Sequence, residues 1–218
     1  MSMLDLTDLL LPVLLLGAPQ APPASAKAPT VMEAPKLPPF AGEIVNFDRR
    51  GDRVVACVNA AAAPARPGMP KPSSQAAAAA PPRYRIWVLE REIMQELLTS
   101  GGLCDPSWSP DGKSFAAAGA RGVFTFSEPH FEPRALVAGQ AESAEPGGKP
   151  GGRVYADPVW SPSGDRLAFR VTGDGADRVE VVDVKSAEVL LRRDISAKSL
   201  RWVDAKTVAA DDTRLSVP

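Results

Sequence analysis

A chain of 218 residues is long enough for one domain of ordinary size with a real core. Its net charge of −1 comes from Lys and Arg scattered among Asp and Glu, so no basic face for nucleic acid is advertised. Two cysteines are too few for a disulfide framework or a zinc site, and the Ala and Pro excess sits in three stretches that leave the remainder normally globular.

Residues 9–16 form an apolar run interrupted by Pro12, and Ala24, Ser25 and Ala26 follow it within an Ala/Pro segment. This is the layout of a secretory signal peptide over residues 1–26, too short for a comfortable membrane span. Asp5 and Asp8 have the wrong sign for the region ahead of such a run, which leaves open a hydrophobic N-terminal segment of another kind. Any membrane association is expected only through this segment, if it stays uncleaved. Residues 27–41 are rich in Pro and Ala, have few bulky side chains and read as a linker.

From residue 42 onward the chain repeats itself. Asp105, Pro106, Ser107, Trp108, Ser109, Pro110, Asp111 and Gly112 return as Asp157, Pro158, Val159, Trp160, Ser161, Pro162, Ser163 and Gly164. Pro110 and Pro162 preset the negative φ of a turn's second residue, and Gly112 and Gly164 suit the left-handed position that closes a type I turn with a bulge. A strand should follow each turn: Leu167, Phe169 and Val171 alternate with a period of two. Trp108 to Phe115 and Trp160 to Leu167 are both seven residues apart. The same ruler finds two worn copies, one with Phe47 in the tryptophan position and Val54 seven residues later, the other built around Trp202.

The anchors Trp160 and Trp202 are 202 − 160 = 42 residues apart, within the roughly 40–45 residue period of a four-stranded propeller blade. The longer earlier intervals need loop insertions, and residues 59–82, almost pure Ala, Pro, Gly and Lys, supply one. The expected fold class is all-β, a β-propeller of about four blades at about 42–98, 104–138, 156–194 and 198–218. The last blade lacks its outer strand, which invites closure by residues 31–40 or pairing with a second copy as a homo-dimer.

The signature at residues 105–112 and 157–164 resembles the repeat of TolB-type, WD40-like β-propellers, whose relatives include the propellers of prolyl oligopeptidases and dipeptidyl peptidases. TolB-like propellers generally have six blades, against four copies here. The resemblance covers roughly residues 42–218 and implies a periplasmic or secreted scaffold that binds a protein or cell-envelope partner through its loop face. The alternative it implies is an accessory peptide-recognition propeller acting with a separate catalytic partner.

No Gly-x-Ser-x-Gly elbow occurs, and His130, the single histidine, has no partners at catalytic or metal-binding spacing, so no catalytic residue, metal centre or cofactor is expected. Trp108, Trp160 and Trp202 recur at one repeat position and should pack between blades. Asp105 and Asp157 share a register three residues before the tryptophan, facing the channel. They are either a cation-binding pair or acceptors in local Asx turns, the latter favoured because Ile44 and Ser199 occupy the other copies. Cys57 and Cys104 fall where neighbouring copies meet; two separate buried thiols are favoured over a disulfide between them.

Overall fold

The computed structural model describes residues 42–60, 84–91, 93–97, 102–139, 152–173, 175 and 177–218. The apolar N-terminal run, the linker, and most of the 59–82 insertion and the glycine-rich loop after residue 139 lie outside the described residues. Among the described residues, fifteen strands form four antiparallel sheets. Blade 1 holds β1 (Glu43–Arg50), β2 (Arg53–Asn59), β3 (Tyr84–Glu90) and β4 (Ile93–Leu97). Blade 2 holds β5 (Leu103–Trp108), β6 (Ser114–Gly119), β7 (Gly122–Ser127) and β8 (Glu132–Ala138). Blade 3 holds β9 (Val154–Trp160), β10 (Arg166–Thr172), β11 (Arg178–Asp183) and β12 (Val189–Asp194). Blade 4 has three strands, β13 (Leu200–Asp204), β14 (Thr207–Ala210) and β15 (Thr213–Ser216). The arrangement is an unclosed arc in which β1, β5, β9 and β13 are the inner strands.

The second strand of each blade is buried on both faces, which is why β6 reads as a continuous small-residue run and not as an alternation. Phe115 and Ala117 face blade 1, where Val55, Ile86, Val88 and Leu97 meet Trp108, Phe126 and Phe131. Ala116 and Ala118 face blade 3 and leave room for the bulkier Leu167, Phe169 and Val171. The third seam sets Ala168, Val179, Val181 and Leu191 against Leu200, Val208 and Ala210. Blade 4 turns Arg201 and Arg214, both exposed, away from that seam.

The turns form as the sequence predicts. Gly112 N–H donates to Ser109 O (3.0 Å) and Gly164 N–H to Ser161 O (2.9 Å), with φ of 71° and 76° at the two glycines. Trp160 Nε1 donates to Ser107 O of the preceding blade and Trp202 Nε1 to Val159 O, both at 2.9 Å, so these indoles pin one blade to the next. Trp108 Nε1 has no partner among the described residues. The reason is a register difference in blade 1. Trp108 pairs with Phe115 and Trp160 with Leu167, but it is Arg49 that pairs with Val54, while Phe47 pairs with Ala56. Blade 1 uses a shorter turn, Gly51 and Asp52 between paired Arg50 and Arg53, so Arg49 takes the tryptophan position that the seven-residue ruler assigned to Phe47.

A second correction concerns the cysteines. Cys57 on β2 and Cys104 on β5 are not separate thiols; they form a disulfide across the first seam, with Cα atoms 5.3 Å apart. The inward approach of β5 to β2 brings them together, which local sequence cannot reveal. The 47-residue separation gives a chain-entropy stabilisation of about 4 kcal/mol. We therefore expect the pair Cys57→Ala, Cys104→Ala to lose about 2–4 kcal/mol in urea unfolding, and a reductant to lower the stability of the parent but not of the variant.

Candidate functional site

The inner strands converge on a groove of about 370 Å³ lined by the first residues of all four blades, among them Asn46, Asp48, Asp105, Ser107, Asp157 and Ser199. Its shape follows from a backbone irregularity. β5 runs from Leu103, and its register slips between Cys104 and Ser107. β9 slips likewise between Ala156 and Val159, opposite Arg170 and Ala168. Asp105 and Asp157 sit in these bulges with φ of 45° and 50°, a left-handed conformation that Asp tolerates better than most residues. The Asp-Pro pair is a bulge inside the strand, and its carboxylate lines the groove.

Both aspartates are engaged by side chains. Asp105 Oδ1 accepts from Asn46 Nδ2 of the neighbouring blade at 3.0 Å. Asp157 pairs with Arg170, whose Nη1 also donates to Ala197 O at 2.8 Å and so ties β10 to the strand linker before blade 4. The blade 1 counterpart of Asp105 is thus Asn46, two residues from the Ile44 that the ruler selects, for the same register reason. Asp48, which sequence reasoning missed, accepts from Trp108 N–H (2.7 Å) and Arg49 N–H (2.8 Å). Its burial raises its pKa against the lowering effect of these bonds. Lys198 is the ammonium on the groove wall.

Elsewhere, His130 is exposed on the turn after β7. Among the described residues no group of three His, Cys, Asp or Glu is placed to hold a metal ion. The signature residues Pro110, Gly112, Pro162 and Gly164 lie in the tight turns at the outer end of the inner strands, away from the groove.

No protein-family model matches the sequence, and no curated protein matches it. Solved structures do. The β-propeller domain of the trilobed protease from Pyrococcus furiosus, described as having an open velcro topology, is similar over 76% of this chain and 47% of its own, at 12% identity and a TM-score of 0.51. The fold is a β-propeller. Acylaminoacyl peptidase from Pyrococcus horikoshii is similar over 76% of this propeller chain and 27% of its own, at 11% identity and a TM-score of 0.51. TolB from Acinetobacter baumannii is similar over 57% of this chain and 31% of its own, at 19% identity and a TM-score of 0.43. The propeller therefore spans about half of the trilobed protease domain and about a quarter of the peptidase.

The turn aspartates set the acid response. The Ser109 hydroxyl and Lys113 N–H hold Asp111 below the usual carboxylate range, and the Ser163 and Ser161 hydroxyls do the same for Asp165. Backbone N–H groups lower Asp183, Asp204 and Asp211. A depressed folded pKa contributes stability above the unfolded value of about 4 that is lost as pH falls through the folded value. The raised Asp48 has the opposite slope, one group against five. The melting temperature should hold from neutral pH to about pH 5 and drop below about pH 4, with a shallower drop in Asp165→Asn.

Proposed function

We propose that this chain is a noncatalytic, exported propeller module that holds a protein or cell-envelope partner at its loop face, with the axial groove as a point of engagement. The observation that carries the reading is the groove itself. Four blades contribute to it, and its carboxylates Asp48, Asp105 and Asp157 are engaged with an amide, backbone N–H groups and a guanidinium, not aligned as nucleophile and base. Acceptors held in this way suit the donors of a partner's polar or basic side chains. Export is supported by the Cys57–Cys104 disulfide, which persists in an oxidising compartment, and by the signal-like run at residues 9–16.

The peptide-recognition alternative is favoured by the likeness to propellers of peptidases, which concerns the fold alone.

A photo-crosslinking side chain in place of Lys198, exposed beside the groove, tests both. In cells, the scaffold reading expects a discrete cross-linked protein whose yield falls several-fold in Asp105→Asn. A cross-link to a hydrolase would shift the choice to the alternative, and cross-linking unchanged by Asp105→Asn would remove the groove from either.

A further inference from the structure

The same position in the repeat is built differently in successive seams. At the turn end of blade 1, Arg53 pairs with Glu90 across the β2–β3 ladder. Its guanidinium donates to Glu90 Oε1 at 2.9 Å and Gly112 O at 2.7 Å and meets Glu128 at 2.5 Å. That side chain plugs the seam beneath the turn of blade 2. Blade 3 keeps the arrangement of types, Arg166 opposite Asp183. Blade 2 has two small hydroxyls instead, Ser114 opposite Ser127, with their oxygens 2.8 Å apart.

The missing plug leaves a recess of about 200 Å³ between blades 2 and 3, under the turn that carries Ser163 and Gly164. At about 30 Å³ per molecule, that is room for roughly six waters. Its polar wall has an unmet capacity. Thr125 lines the recess from β7 and is 4% exposed, and its hydroxyl has no hydrogen-bond partner among the described residues. The hydroxyl is open to the recess, so a ligand hydroxyl that displaces water there can take up the same bond. One side is the Trp160 ring, which supplies an apolar surface. The two charged groups on the wall cancel: Asp111 accepts from Ser109 and Lys113, and Arg134 is held by its donations to Val184 O (3.0 Å) and Lys185 O (2.6 Å) of blade 3.

We propose that this recess binds a small neutral polyol of the monosaccharide class. Hydroxyls on such a molecule both donate and accept, which matches the Ser114, Ser127 and Thr125 oxygens, while its C–H face suits the indole edge. A charged ligand would find the wall already neutralised. The site is separate from the axial groove and shares no residue with it.

The test is titration of the full chain with methyl β-D-glucopyranoside and with glycerol, followed by tryptophan fluorescence and by the amide resonances of Thr125, Ser127 and Gly164. The expected result is a saturable change confined to these residues and the Trp160 indole. Thr125→Val keeps the shape and removes the unpartnered hydroxyl; its melting temperature should equal or exceed that of the parent, while its affinity for the glucoside falls about fivefold, the equivalent of one hydrogen bond of about 1 kcal/mol. Ser114→Arg with Ser127→Glu rebuilds the blade 1 plug and should abolish the response. Should that pair fail to fold, Thr125→Val alone decides. A response that does not saturate with either probe, or one that is unchanged in Thr125→Val, would overturn the proposal and leave a recess that holds water only.

Discussion

An apolar sheet face cannot be left in water, and in this molecule blades 1 to 3 each have two of them. The rest of the structure depends on how those faces meet. Each blade is too thin to form a core alone, so the seams are the core: between blades 2 and 3, for example, Leu167, Phe169 and Val171 enter the space left by Ala116 and Ala118. The tryptophans act within that constraint. Trp160 and Trp202 bury their rings in the seam and donate Nε1 to the previous inner strand, so packing and a directional bond fix the same relative position.

The first seam is held differently, and the differences belong together. Blade 1 has a shorter turn, its register puts Arg49 where the other blades have tryptophan, and Trp108 loses the acceptor that its counterparts enjoy. What replaces these is a backbone bond from Trp108 to Asp48, the Arg53 plug with its two carboxylates, and the Cys57–Cys104 disulfide. The seam whose tryptophan lacks an indole acceptor is the one with a covalent link.

The axial groove is a by-product of the same geometry turned to use. Inner strands must bend to keep four twisted sheets around one axis, and the bulges at Asp105 and Asp157 provide the bend. Because bulge positions accept left-handed backbone only from Asp, Asn or Gly without much strain, the residue that allows the bend also presents a carboxylate to the axis. Asn46 then bonds Asp105 across the first seam, while Arg170 pairs with Asp157 within blade 3 and reaches Ala197 O ahead of blade 4. A structural and a binding role are thus compatible at one position.

Much of this was legible in the linear sequence. The doubled Asp-Pro-x-Trp-Ser-Pro motif specifies a strand, a tight turn and a second strand through local backbone preferences, and such preferences survive any tertiary context; the repeat spacing then determines blades and, with them, the seam position of Trp160 and Trp202. What only the tertiary structure decided were the relations between copies. A turn shortened by two residues moved Arg49 into the place expected for Phe47 and Asn46 into that expected for Ile44, because a hairpin's register depends on its turn and not on counted distance. The pairing of Cys57 with Cys104, the bond from Asn46 to Asp105, and the recess walled by blades 2 and 3 all join residues remote in sequence. Local propensity determines which elements form; which side chains meet across a seam is set by how the sheets pack, and no single stretch of chain contains that information.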